Sequence, residues 1–267
     1  MSKFDLIKWS PILTRLAYNW FYARVASKQY KENKAVVEQI SKYRNIHKGQ
    51  RCFIIGTGPS LTIADLEALK DEITFAPNRI YELLDKTSWR PTYYICQDHN
   101  LIQTFGNRIK GVEANTSFLP VDYKNLFVGE KYRFFALKEK NFYPNDAEFS
   151  YDPSKFLAQG YTVTYGAIQL AIYMGFTDIY LIGVDHNYNI IRDAKGRPIR
   201  KDDTENYSKG MTNYINMNSL PRIEETTIAY ETAERISRKV GVRIYNATRG
   251  GKLEAFDRVN LDEILTK

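Results

Sequence analysis

Cysteine and histidine are scarce in this sequence, with two of the first and three of the second among 267 residues. Cys52 and Cys96 both sit in apolar, strand-like runs, so they read as buried small hydrophobes of a reducing compartment and not as a disulfide. His47, His99 and His186 stand far apart, and no Cys/His spacing fits zinc. No D-x-D pair is present, so no required metal is expected. No stretch approaches the roughly 18 apolar residues of a membrane span. A secretory signal is not expected either, because the N-terminus lacks a clean apolar core and a small-residue cleavage site. Internal repeats and low-complexity tracts are absent. What is present, 43% hydrophobic residues in a chain of this length, is enough for one large α/β domain or two small ones.

The formal net charge is +7, and it is unevenly placed. Residues 1–50 hold ten Lys/Arg against Asp5, Glu32 and Glu38, a balance of +7, so the remainder is neutral. The excess therefore belongs to an N-terminal extension, residues 1–48, and the body has no nucleic-acid character. Residues 3–30 interleave Phe4, Trp9, Trp20, Phe21 and Tyr22 with Lys8, Arg15, Arg24 and Lys28. This reads as helix, or as two helices broken near Pro11. Two roles fit it: peripheral attachment through residues 1–30 to the inner face of a plasma membrane, or packing on the body or a partner subunit. A cytoplasmic location follows for the body; a homo-oligomer is left open.

Residues 49–267 form the second unit, and its first motif is Arg51–Leu61. Cys52–Ile55 is a continuous apolar run, as in a strand buried on both faces. Gly56-Thr57-Gly58-Pro59-Ser60 follows, where two glycines let backbone turn tightly and approach a ligand. Thr62-Ile-Ala-Asp65 then opens a helix with a capping-box pattern. Strand, glycine loop and helix start form an anion site, with phosphate held by loop N–H groups. The third glycine of the dinucleotide fingerprint is replaced by Leu61, which points away from an ordinary NAD enzyme.

Further strands end in polar residues, and such exits face the ligand crevice of an open α/β sheet. Ile73–Ala76 ends at Asn78 and Arg79. Asn78 suits a base or ribose hydrogen bond, or a turn; Arg79 suits phosphate, or solvent. Ile80–Leu84 begins a helix. Thr92–Cys96 is followed by Asp98 and His99. Gln159–Ala167 leads into an apolar helix, Ile168–Met174, stopped at Gly175. The run Asp178–Gly183 is a buried strand whose exit carries Asp185, His186, Asn187 and Tyr188. Asp185 can bind ligand, cap a turn or act as a base; His186 can act as a base or be an ordinary hydrogen-bonded histidine. Residues 189–220 are long and polar and read as a lid, with Tyr207, Arg192 and Lys209 within reach of a leaving phosphate. Helix at Ile223–Val240 and strand at Val242–Tyr245 complete the pattern, with Asn246–Gly251 at the last strand exit.

As a set, Gly56–Leu61, Asn78–Tyr81, Thr164-Tyr165-Gly166 and Ile179–Asp185 resemble the bacterial 6-hydroxymethylpterin-diphosphokinase-like family, many of whose members are glycosyltransferases of capsule and lipopolysaccharide synthesis. They are similar also to the small CMP-sialic-acid sialyltransferases of family 42. The resemblance covers roughly residues 50–260. It implies nucleotide binding by Gly56, Gly58, Pro59, Ser60 and Asn78, joined by Thr164 and Gly166; Thr57, Arg79, Asp98 and Tyr165 are binding candidates by their place in the same loops and strand exits. This chain departs from the sialyltransferase pattern at Thr57, Tyr165 and Asn187, and residues 202–214 contain no histidine where that family has its catalytic base. The catalytic candidates are therefore His186, Asp185, Tyr188 and Tyr207.

The expected fold is a Rossmann-like, mainly parallel sheet with helices on both faces and an N-terminal helical appendage. The expected activity is a metal-independent glycosyltransferase. It would take a nucleotide sugar (CMP-linked favoured, sialic acid or a related acidic sugar) to a glycan or lipid-linked acceptor in surface polysaccharide synthesis, with no required cofactor. The alternatives are a magnesium-dependent pterin diphosphokinase, with Asp98 and Asp185 as ligands, and a nucleotide-binding membrane-associated protein without catalysis.

Overall fold

The computed structural model describes residues 11–187, 190–192, 198–200, 207–212 and 221–266. Its strands in chain order are β1 (Arg51–Ile55), β2 (Thr74–Pro77), β3 (Tyr93–Ile95), β4 (Thr116–Pro120), β5 (Tyr132–Phe135), β6 (Leu137–Lys138), β7 (Leu157–Ala158), β8 (Asp178–Ile182), β9 (Ile190–Arg192), β10 (Pro198–Arg200), β11 (Arg243–Asn246) and β12 (Asp257–Arg258). Eight of them form one sheet in the order β12-β11-β8-β1-β2-β3-β4-β5. Every neighbouring pair in it is parallel. β6 and β7 make a separate parallel pair, and β9 and β10 an antiparallel one.

The apolar run of β1 is explained by cover on both faces. Cys52 and Ile54 enter one core, Phe53 and Ile55 the other, the burial expected of a strand inside a parallel sheet. The helices are α1 (Pro11–Glu32), α2 (Lys34–Val37), α3 (Ile63–Ala68), α4 (His99–Lys110), α5 (Val163–Met174), α6 (Ile223–Lys239) and α7 (Leu261–Leu265). Leu170 and Ala171 of α5 and Ala229 and Ala233 of α6 fill the first core. Leu66 of α3, Ile102 and Ile109 of α4 and Leu261 of α7 fill the second.

The capping box at α3 forms in full. Thr62 accepts from the Asp65 N–H, and Asp65 accepts from the Thr62 N–H. α5 begins five residues earlier than its apolar stretch suggests, because Thr162 caps it by accepting from the Thr164 N–H. Gly175 ends it at φ 89°. The helix expected to begin at Ile80–Leu84 is instead two 3-10 turns, Asn78–Glu82 and Leu84–Lys86.

The N-terminal extension is more than an appendage. Val37 and Ile40 are fully buried, one in each core. One side of α1 is fixed to the body: Arg15 donates to the Tyr143 carbonyl at 2.8 Å, and Asn19 exchanges two hydrogen bonds with the Asn141 backbone. Among the described residues, no helix is long and apolar enough to cross a membrane.

Candidate active site

β1 and β8 are neighbours, but the chain leaves them in opposite directions across the sheet, β1 toward β2 and β8 toward β11. At such a switch point the following loops separate and a crevice opens beyond the strand ends. Here residues 56–61 and 183–187 flank a cleft of about 850 Å3.

The two glycines of the first loop are required by the second loop. A Cβ on Gly56 would sit closer than 3.0 Å to the Gly183 backbone, and one on Gly58 closer than 3.0 Å to the Asp185 carboxylate. The loops are stitched by Gly56 N–H to the Ile182 carbonyl (2.6 Å) and Gly58 N–H to the Gly183 carbonyl (2.9 Å). Those two N–H groups are therefore spent within the protein, and Pro59 has none. A phosphate cradle of loop N–H groups is thereby reduced to those of Thr57 and Ser60, and Gly56, Thr57, Gly58 and Pro59 all line the cleft. A third contact closes the back: Lys252 N–H donates to the Asp185 carbonyl at 2.7 Å, with Gly251 packed against the same backbone.

Ser60 faces Asp185. Its hydroxyl donates to Oδ2 at 2.8 Å and its N–H lies 3.4 Å from the same oxygen. Burial pushes the Asp185 carboxyl above its ordinary range, and the two Ser60 donors work against that shift. Ser60→Ala should therefore raise the Asp185 pKa further. It should also lower stability at neutral pH by about 1–3 kcal/mol, the cost of an unsatisfied buried acceptor. The loss should shrink as pH falls, because protonation removes the buried charge. Carboxyl NMR titration and denaturation at several pH values check both; an unmoved Asp185 titration would refute the pairing.

His186 is held in the left-handed region at φ 48°. Its Nε2 lies 2.8 Å from the Thr227 hydroxyl, and its ring meets Tyr230 edge to face. The Thr227 hydroxyl donates its proton to the Ile223 carbonyl at 2.9 Å. It must then accept from His186, which puts the imidazole proton on Nε2 and the lone pair on Nδ1. Burial lowers the His186 pKa, so the neutral ring is favoured.

The opposite wall is made of amides. Asn78 Oδ1, Gln97 Oε1 and Gln159 Oε1 are shielded from solvent yet have no hydrogen-bond partner among the described residues, and all three side chains line the cleft. Arg222 is the only Arg or Lys among the described lining residues. It lies over the Tyr161 ring, 4.7 Å from its centroid. Four non-glycine residues of the described chain have positive φ, and three of them, Asn78, Tyr161 and His186, line this cleft. Such strain persists only where surroundings enforce it, and it concentrates at functional sites.

The sequence model of the 6-hydroxymethylpterin diphosphokinase MptE-like family matches residues 26–190, more than half of the chain. The chain belongs to the MptE-like family. Its matched span carries the glycine loop, Asn78, Gln97, Gln159, Asp185 and His186. No curated protein matches it. Among solved structures, the chain is similar to the MAf glycosyltransferase from Magnetospirillum magneticum AMB-1, at 17% identity and TM-score 0.47, covering 85% of this chain and 38% of that one. It therefore spans well under half of that protein. It is similar also to the sialyltransferase CstII from Campylobacter jejuni in complex with cytidine-5'-monophosphate, at 15% identity and TM-score 0.44, covering 79% of this chain and 85% of that one.

In this MptE-like chain the candidates of the sequence divide. Gly56, Thr57, Gly58, Pro59, Asn78, Asp98, Thr164, Asp185, His186 and Tyr207 meet at the cleft. Asp98 does so as the cap of α4, accepting from the N–H groups of Asn100 and Leu101. Three candidates serve elsewhere. Tyr165 is fully buried and its hydroxyl donates to the Glu148 carbonyl at 2.8 Å, so it is a core residue and not a ligand group. Gly166 is behind the wall, where a Cβ would press on Gln97 and Leu157. Arg79 is not at a phosphate position; it is buried against Glu82 and reaches residue Thr212. Tyr188 lies outside the described residues, as does most of the 189–220 segment. One described part of that segment, residues 207–212, is pinned on the glycine loop by Ser208, whose N–H donates to the Thr57 carbonyl and whose hydroxyl donates to the Leu61 carbonyl. Arg222, Gln97 and Gln159 were not singled out by the sequence.

Proposed function

We propose that this MptE-like protein is a glycosyltransferase, moving a sugar from a nucleotide-activated donor to a hydroxyl of a glycan or lipid-linked acceptor. The observation that carries the reading is the lining of the cleft: a half-buried imidazole, amides whose oxygens have no partner among the described residues, and one guanidinium. Amide oxygens without partners suit the hydroxyl and amino groups of a sugar or base. A guanidinium suits the phosphate that leaves. A neutral imidazole suits proton abstraction from an acceptor hydroxyl.

The step follows from those positions. His186 Nδ1 takes the acceptor proton as the acceptor oxygen bonds to the anomeric carbon. The bond from that carbon to the phosphate oxygen breaks, and its electron pair leaves with the nucleotide. Arg222 and the Tyr207 hydroxyl donate to the departing phosphate. A CMP-linked acidic sugar is the first donor to try.

The name of the family suggests a pterin diphosphokinase as a second reading. That chemistry uses magnesium and would need carboxylates free to hold it. Asp98 is committed to the α4 cap and Asp185 to Ser60. Among the described residues, no three His, Cys, Asp or Glu side chains converge as metal ligands. No magnesium site is preformed among the described residues, and no step is assigned to the ion.

A thermal-shift screen of nucleotides and nucleotide sugars tests the proposal. A ligand at a hundred times its Kd should stabilise by about 2.7 kcal/mol, and Asn78→Ala should abolish that shift. Transfer should proceed unchanged in chelator. Absence of any nucleotide-dependent shift would refute the reading, and metal-dependent ATP turnover with a pterin would establish the second one in its place.

A further inference from the structure

The side of α1 that faces away from the body changes character along its length. Over the first three turns it presents Ile12, Leu16, Trp20 and Phe21, each more than half exposed. Over the last two turns the same side carries Arg24, Lys28 and Lys31, all exposed. At about 100° per residue, Leu16, Trp20, Arg24, Lys28 and Lys31 fall within an arc of about 120°, with Ile12 and Phe21 at its two edges. Residues fixed to the body, Arg15, Asn19 and Gln29, lie on the other. No acidic residue occurs between Pro11 and Lys31; Glu32, the last residue of the helix, pairs with Lys28 at 3.7 Å, so the basic end keeps a net excess of cations. Large apolar side chains in contiguous exposure mark an interaction surface.

We propose that this face of α1 docks on an anionic lipid surface. Ile12, Leu16, Trp20 and Phe21 enter the interface between headgroups and acyl chains, and Arg24, Lys28 and Lys31 lie against the negative headgroups. A helix of 22 residues spans about 33 Å, and it lies flat because its other side is bonded to the body. Charge selects this occupant over a second copy of the chain. A two-fold pairing of the face would set its cations against the partner's apolar turns or against the partner's cations, with only Glu32, already paired with Lys28, to meet three of them. A bilayer containing anionic lipid answers both halves of the face at once. The proposal stands on the helix alone and is independent of the reaction assigned to the cleft.

The geometry also ties this face to the cleft. Residues 139–143 receive α1 through Asn141 and Tyr143, and the Tyr161 hydroxyl beneath Arg222 donates to the Lys140 carbonyl in the same segment. A docked α1 thus holds the rim of the cleft close to the lipid surface.

Co-sedimentation of the full chain with vesicles tests this directly. Vesicles of phosphatidylcholine mixed with phosphatidylglycerol should bind it, pure phosphatidylcholine vesicles weakly, and added salt should release it. Trp20 emission should shift to the blue on binding. Leu16→Glu with Trp20→Glu, and separately Arg24→Gln with Lys28→Gln, should each lower the partition coefficient by about ten-fold or more. Both pairs are exposed, so their melting temperatures should match the wild type. Equal sedimentation of wild type and both variants, or no binding to the anionic vesicles, overturns the proposal. Light scattering that shows a wild-type dimer broken by Leu16→Glu with Trp20→Glu, without vesicle binding, identifies a second copy as the occupant and likewise overturns it.

Discussion

His186→Ala is expected to lower kcat by roughly 10²–10⁴-fold, the usual contribution of a positioned general base, while leaving nucleotide affinity nearly unchanged. The expectation rests on the tautomer. Thr227 spends its proton on the Ile223 carbonyl and so fixes the imidazole proton on Nε2, leaving Nδ1 as the basic nitrogen. Burial lowers the His186 pKa from its ordinary 6.5. The neutral, active form therefore persists below that pH, and the acid limb of the rate profile should lie below 6.5. Folding is linked to the same group with a definite sign. The unfolded chain takes up the proton more readily, so as pH falls below 6.5 the folded state loses stability until the folded pKa is passed. Thr227→Val should move kcat less than His186→Ala and should shift the acid limb, since it releases the ring without deleting it. A His186→Ala enzyme with wild-type kcat on any active donor and acceptor pair would remove His186 from the mechanism and leave Asp185 as the base.

The parts of this fold that were legible in the sequence are those fixed by local chemistry. A strand covered on both faces must be apolar throughout, and Cys52–Ile55 and Ile179–Ile182 are. A helix start with Thr at the cap and Asp three residues on needs no distant partner, and the α3 capping box forms as read. The convergence of strand exits on one crevice follows from parallel topology, and it places Asn78, Asp98, Asp185 and His186 together.

What was not legible depended on partners far away in the chain. Gly56 and Gly58 read as glycines for a ligand, but their tight neighbours are Gly183 and Asp185, more than 120 residues later. The same loop crossing consumes two of the N–H groups that a phosphate would have used, those of Gly56 and Gly58. Tyr165 stands in a motif position yet turns inward to the Glu148 carbonyl, a contact no local pattern signals. Gln97 sits next to Asp98 at a strand exit, a signal that could have found it, but an uncharged amide there stands out less than the carboxylate beside it. Arg222 had a weaker signal, a lone cation between Pro221 and the start of α6.

Arg79→Ala should give the largest loss of stability of any single substitution considered, about 3–5 kcal/mol, the cost of deleting one partner of a buried ion pair. Arg79 and Glu82 are three residues apart on one turn, and both side chains are almost wholly buried. Arg79 Nε donates to Glu82 Oε1 at 2.7 Å, and Nη2 donates to the Thr212 carbonyl at 2.8 Å. Glu82 in turn accepts from the Thr212 N–H at 2.7 Å and from its hydroxyl at 3.0 Å. Burial alone would raise the Glu82 pKa, but the Thr212 N–H and Arg79 outweigh it and hold the carboxyl below its ordinary 4.5. This pair therefore contributes stability above that pH and loses it as pH falls through the lowered value. In Arg79→Ala the sign for Glu82 reverses: an unpaired buried carboxylate gains from protonation, so the gap to wild type should narrow toward acid pH. Replacing both charges, Arg79→Met with Glu82→Leu, should recover much of the loss, because neither partner is left stranded. The cleft registers the same change. Residues 207–212 are held at one end by Ser208 on the glycine loop and at the other by Thr212 on the Arg79–Glu82 pair, and the Tyr207 ring lies 5.0 Å beneath the Arg79 guanidinium. Arg79→Ala should thus lower kcat even at a temperature where the variant is fully folded, with the double variant stable yet still slow. A double variant as active as wild type would show that Tyr207 does not depend on this clamp.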